Sequence, residues 1–218
     1  MSMFSGYVRQ VRRIAVPLMV VGVLAGCAGA LSSPSGGDSR ATPVMRWDHI
    51  DEGALWTQET LAALRSHGSP LLDVVPADID TWCPRYREAD QEGRAKFWAG
   101  LISALAKHES TWNEDAVGGG GLWFGLVQIA PATARGYQCE VGSGAALQDG
   151  VANLRCGVRI MAHTVARDGV VSAGMRGVAA DWGPFHSTSK HQDMIDWVSQ
   201  QPYCKAPQRR GLFSAIAG

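Results

Sequence analysis

A glutamate stands where a long amphipathic helix runs out. Trp98, Ile102 and Leu105 follow one another at helical spacing, and Glu109 lies one turn beyond Leu105 on the same stripe. A carboxyl in that place loses water to the core and faces the negative end of the helix dipole. Both effects favour its neutral form and raise its pKa above the usual value of about 4.3. A carboxyl that keeps its proton at neutral pH is a general acid. His108-Glu109 also opens an H-E-x-x-H pattern, but Trp112 stands where the second histidine is required, which excludes a zinc protease of that kind. The four cysteines Cys83, Cys139, Cys156 and Cys204, at intervals of 56, 17 and 48 residues, lack the close pairs of a zinc site, so no metal is expected.

The elements that must position this glutamate read as helices. Phe97, Trp98, Leu101, Ile102, Leu105 and Ala106 form one broad apolar face and predict a core helix over Gln91–Glu109. Val151, Leu154, Val158, Met161 and Val165 alternate spacings of three and four, which predicts a second packed helix with Asp149 as its N-cap. Shorter helices are expected over Thr57–His67, ended by Gly68, over Pro131–Tyr137 with Pro131 in the first position, and over Ser172–Asp181 and Lys190–Gln200. The stretch Ser69–Pro84, with three prolines, reads as an ordered loop. No run alternates long enough for a sheet and no internal repeat is found, so the fold class is mainly α in a single domain. Eight tryptophans in 218 residues exceed what a small core needs, and some are expected to line a groove.

The chain ahead of the domain has a different character. Arg9, Arg12 and Arg13, with no acid before residue 27, precede an apolar run of about a dozen residues, too short for a membrane span of roughly 20, and this reads as a secretory signal over residues 1–26. Leu24-Ala25-Gly26-Cys27 resembles the lipobox of bacterial lipoproteins, in which the cysteine is acylated and anchors the chain to a membrane. Residues 27–46, mostly Ala, Gly, Ser and Pro, read as a tether. Ala28 stands where an aspartate would hold such a lipoprotein at the inner membrane, so the periplasmic face of the outer membrane is the expected location. Without the signal the chain holds 17 basic and 20 acidic residues, which argues against nucleic acid as a partner. Setting Cys27 aside leaves an even set of cysteines in an exported chain, and two disulfides fit. Sequence fixes none of the three pairings. Position along the chain favours Cys139 with Cys156, and Cys83 with Cys204.

Ala106-Lys107-His108-Glu109-Ser110-Thr111-Trp112, followed by Gly125-Leu126-Val127-Gln128-Ile129-Ala130-Pro131-Ala132-Thr133-Ala134, resembles the lytic transglycosylases. In that family a helix ends in Glu-Ser, a loop leads to Gly-Leu-Met-Gln-Ile, and a Pro-x-Thr-Ala helix comes next. Leu147, Asn153 and Gly157-Val158-Arg159 resemble a third stretch of the same family. The resemblance implies a lysozyme-like catalytic domain, placed over residues 82–208, with an N-terminal helical extension over residues 47–81 and a tail over residues 209–218. It implies peptidoglycan glycan strands as substrate and a reaction without a cofactor. Glu109 matches the single catalytic acid and base, and Ser110 the residue that orients it or touches substrate. Gln128, Gly125 and Leu126 match the cleft wall, where glycine lets backbone approach a sugar. Trp112, Trp123 and Phe124 sit where aromatic faces could stack on sugar rings. The family's Ala-Tyr-Asn segment has no clear counterpart, because the chain reads Ala179-Ala180-Asp181-Trp182-Gly183-Pro184; Trp182 is expected in the cleft in the tyrosine's stead. Two other outcomes share this fold: a goose-type muramidase that delivers water, with Glu114, Asp115 or Asp181 to position it, and a silent glycan-binding lipoprotein. Partners in cell-wall or secretion machinery are left unspecified.

Overall fold

The computed structural model describes residues 42–205; the signal peptide, Cys27, most of the tether and the tail at 209–218 lie outside the described residues. Helix α4, Gln91–Glu109, is the axis of the domain, with every residue from Phe97 to Ala106 buried. Its start is set by Asp90, whose carboxylate accepts from the Gly93 N–H at 2.7 Å. Helix α7, Gly150–Asp168, is the other long element: Asp149 accepts from the Ala152 N–H at 2.8 Å, and Gly169 ends it in a left-handed conformation. Around these two pack α1 (Gly53–Arg65), α2 (Ser69–Asp73), α3 (Ile79–Trp82), α5 (Pro131–Gly136), α6 (Gly144–Leu147) and α8 (Thr188–Ser199). α1 lies against both α7 and α4, and α8 lies against α4. One antiparallel pair, β1 (Val117–Gly118) with β2 (Trp123–Phe124), projects between α4 and α5. The mainly α expectation holds. No helix among the described residues is long and apolar enough to cross a membrane.

Several local expectations change. The stretch Ser69–Pro84 is not a loop throughout, since α2 and α3 form within it; Pro70 sits in the first turn of α2, where its missing N–H has no helical partner to lose. Ser172–Asp181 is not one helix but two short 3₁₀ turns, Ala173–Met175 and Gly177–Ala180. Left-handed backbone at Gly174, Met175 and Gly177 breaks the run, and the Asp78 carboxylate claims the N–H groups of Val171, Ser172 and Ala173. The first helix begins one turn earlier than its apolar spacing implied.

The last residues assigned to the tether belong to the domain. Met45 is buried, the Arg46 N–H donates to Ser103 Oγ at 3.0 Å, and the Arg46 guanidinium pairs with Asp193 on α8. The extension at 47–81 shares a single core with the catalytic domain, because Trp47, Trp56, Leu64 and Leu71 join Trp82, Phe97 and Trp98 in one cluster. Four tryptophans (Trp47, Trp56, Trp82 and Trp98) are therefore fully buried in the core. Both disulfides favoured by position form, Cys83–Cys204 and Cys139–Cys156.

Cys139–Cys156 joins the segment after α5 to the first half of α7 across 17 residues. Replacing both cysteines with alanine is expected to cost about 3 kcal/mol in the chain-entropy account. Chemical denaturation would read this as a lower midpoint for the double variant.

Candidate active site

The end of α4 opens into a cleft of about 350 Å³ lined by Glu109, His108, Trp123, Gln128, Asp181, Trp182 and Lys190, among others. The chain leaves α4 through a tight corner, with Thr111 and Trp112 both at positive φ. The Trp112 indole donates to the Ser103 carbonyl at 3.0 Å and its ring meets His49 edge-on, so Trp112 braces the corner and is no sugar platform. Burial pushes Glu109 up to about 7, with the Lys190 charge pulling weakly the other way. The carboxyl thus sits near its midpoint at neutral pH, as a group that must both give and take a proton requires.

The facing wall is the turn from Phe124 to Ile129, whose ends pair through Phe124 N–H to Ile129 O (3.1 Å) and Ile129 N–H to Phe124 O (3.0 Å). Three side chains from elsewhere fix it. Asn153, fully buried on α7, accepts from the Val127 N–H at 2.9 Å and donates to the carbonyls of Phe124 and Leu147 at 2.9 Å each. Ser110 Oγ donates to the Leu126 carbonyl at 2.8 Å, tying the end of α4 to the wall. The Trp182 indole donates to the Val127 carbonyl at 2.8 Å.

These contacts revise several expectations. Ser110 is a latch between two elements, and its hydroxyl makes no hydrogen bond to Glu109. Gly125 is needed for packing: its φ is +79°, and a Cβ there would collide with the Leu147 carbonyl and the Asn153 side chain. Leu126 is wholly buried and supplies backbone only. The Gln128 amide is committed to the carbonyls of Ala116 (3.1 Å) and Gly125 (2.9 Å), while the residue lines the cleft. Phe124 is half-buried and packs on Gly144.

Trp123 remains exposed, 46% open to solvent, and lines both the main cleft and a smaller pocket of about 40 Å³ beside it. Its ring lies directly on Gly119, where any Cβ would strike it. Trp182 lines the same cleft as Glu109 but is only 3% exposed. It is both a cleft residue and a packing anchor.

Of the carboxylates weighed for positioning water, Glu114 accepts from the Gly150 N–H at 3.0 Å at the start of α7, and neither it nor Asp115 lines the cleft. Only Asp181 shares the cleft with Glu109; it accepts from the Tyr137 hydroxyl at 3.1 Å, and burial raises its pKa. Sequence reasoning missed His108, Lys190 and Tyr137. His108 could have been suspected from its place beside Glu109. The other two arrive from distant helices by packing alone.

Residues 88–173 match the family described as Transglycosylase SLT domain. Three solved structures of Bd0314 DslA, the wild-type protein and two glutamate-to-glutamine mutants, superpose with TM-scores of 0.67 to 0.68 at 28% identity, over 75% of this chain and 99% of theirs. No curated protein sequence matches significantly. The fold, the helix ending in Glu-Ser and the family match define a lysozyme-like transglycosylase domain. Residues 88–173 thus carry a transglycosylase SLT domain, and the chain is a peptidoglycan lytic transglycosylase.

Because the folded chain holds the Glu109 proton more tightly than an unfolded chain would, stability falls as pH rises from about 4.5 through about 7, and the full penalty persists above that. Glu109→Gln removes the ionisable group. It is expected to stabilise the domain by roughly 2 to 3 kcal/mol at pH 8 and by little at pH 4. Thermal melts of both proteins across that range would test it, and a pH-independent difference would contradict the assigned burial.

Proposed function

We propose that Glu109 is the single acid and base of this enzyme. The observation that supports the reading is a carboxyl whose pKa is lifted by burial to about 7 and which lines a cleft of about 350 Å³. Neutral Glu109 gives its proton to the oxygen joining N-acetylmuramic acid to N-acetylglucosamine as the bond from C1 to that oxygen breaks. The muramoyl acetamido group shields the developing positive charge at C1. Glu109, now a carboxylate, takes the proton of the C6 hydroxyl as that oxygen bonds to C1, which closes a 1,6-anhydro ring and returns the enzyme to its starting state. One carboxyl serves both steps, whereas hydrolysing glycosidases need two.

Trp182 and the buried wall of Leu126 and Val127 limit water around the carboxyl, which favours the internal hydroxyl over water as acceptor. Trp123 offers an exposed aromatic face for a sugar ring. Asp181 is the one observation on the side of hydrolysis, since a second carboxylate in the cleft could position water. The chain acts as a lipoprotein anchored through Cys27 at the periplasmic face of the outer membrane, a reading supported by the Leu24-Ala25-Gly26-Cys27 sequence.

Glu109→Gln is expected to lower turnover on purified peptidoglycan by at least 10² to 10⁴-fold while leaving the fold intact, the usual cost of losing general acid help. Mass spectrometry of wild-type digests should find anhydro ends. Reducing ends would assign the hydrolytic reaction, and unchanged glycan would assign a binding protein.

A further inference from the structure

Beside Glu109, the cleft wall carries a histidine that the two proton transfers do not use. His108 lines the cleft, and its Nε2 lies 2.6 Å from Asp193 Oδ2 on α8. Asp193 is held from other directions as well: both terminal nitrogens of Arg46 reach it, at 2.7 and 2.9 Å, and Lys107 Nζ lies 3.3 Å away. These cations keep the Asp193 carboxyl ionised, well below the usual carboxylate range. An ionised carboxylate only accepts hydrogen bonds, so the ring nitrogen facing it must carry the proton.

Burial lowers the His108 pKa against the pull of Asp193, with Lys107 and Arg46 acting in the same direction as burial, which favours the neutral ring. A neutral imidazole protonated on Nε2 has a bare lone pair on Nδ1. Among the described residues no protein group hydrogen-bonds His108 Nδ1, and the residue lines the cleft. The cleft therefore contains a fixed, uncharged acceptor next to its general acid.

Resting on the reading of Glu109 as acid and base, we infer that His108 binds substrate: its Nδ1 accepts a hydrogen bond from a hydroxyl or amide N–H of the sugar held against Glu109, and Asp193 is the positioning residue that fixes the tautomer. The segment that leads into the domain contributes through Arg46, which secures Asp193. A purely structural histidine would need only the Nε2 contact that joins α4 to α8.

Two substitutions separate these roles. Gln reaches the position of Nε2 and keeps the bond to Asp193 but offers no acceptor at Nδ1. Asn places an amide oxygen near Nδ1 but releases Asp193. Binding of soluble peptidoglycan oligosaccharides would be measured by calorimetry with Glu109→Gln present throughout, so that no turnover interferes. Adding His108→Gln is expected to weaken binding about tenfold, and adding His108→Asn to weaken it no more than about threefold, with melting temperatures taken in parallel. Unchanged affinity in His108→Gln, or losses that track melting temperature instead of the acceptor, would overturn the inference.

Asp193→Asn in the active enzyme gives an independent readout, because an amide can donate to Nε2 and let the ring proton move to Nδ1. KM should rise severalfold with kcat nearly unchanged, and an unchanged KM would overturn the role of Asp193. Full activity of Glu109→Gln would instead refute the reading of Glu109 and leave the binding result to stand by itself.

Discussion

The cleft depends on one buried amide. Asn153 is fully enclosed on α7, and its side chain satisfies the Val127 N–H and the carbonyls of Phe124 and Leu147 at once. A turn cannot enter an apolar interior with its peptide groups unpaired, since each would cost on the order of 1 to 3 kcal/mol. Asn153 supplies the partners and so permits the turn to lie against α4 at all. Gly125 is the counterpart of this arrangement, because only a residue without a Cβ fits between the Leu147 carbonyl and Asn153. Once the turn is seated, Ser110 and Trp182 can reach the adjacent carbonyls of Leu126 and Val127, and the wall opposite Glu109 is fixed from three elements.

Glu109 uses the consequence of that seating. Glu109 shares its cleft with Gln128 of the turn and with Trp182, and its carboxyl is largely shielded from water. Ionisation then becomes costly, and the group stays near its midpoint at neutral pH. Lys190 on α8 moderates the effect, because its positive charge favours the anion. Beside the neighbouring His108 the opposite logic applies. Asp193 is surrounded by Arg46, Lys107 and His108, and stays charged throughout. One end of α4 thus carries a carboxyl kept close to neutral by burial and faces another kept anionic by cations. The difference lies in the partners, since the two side chains have nearly the same chemistry.

Elements governed by local physics are legible in the chain. The bounds of α4, the Asp149 cap on α7 and Pro131 at the start of α5 follow from periodicity and capping, which act over three or four residues. Ser172–Asp181 is the contrary case, where helical propensity is overruled by left-handed residues and by Asp78, almost a hundred residues earlier in the chain. Gly125 departs from expectation in the same way. Its need for glycine is real, but the atoms that impose it are a carbonyl and an amide from α6 and α7.

What the sequence determined by itself was the acid and its setting: a glutamate on the buried stripe of a core helix, followed by Ser110 and later by a Gly-Leu-Val-Gln wall, with four cysteines in two pairs favoured by position. Periodicity places such residues on a face, and the face decides burial. What tertiary structure decided was everything that depends on which faces meet. It brought Asp193 to His108, Tyr137 to Asp181 and Trp182 to Val127, and it turned Ser110 into a latch and Trp112 into a brace. Hydrogen bonds between residues tens of positions apart leave no periodic trace in the chain. They exist because packing α7, α8 and the wall around α4 left polar groups buried in pairs that had to satisfy one another.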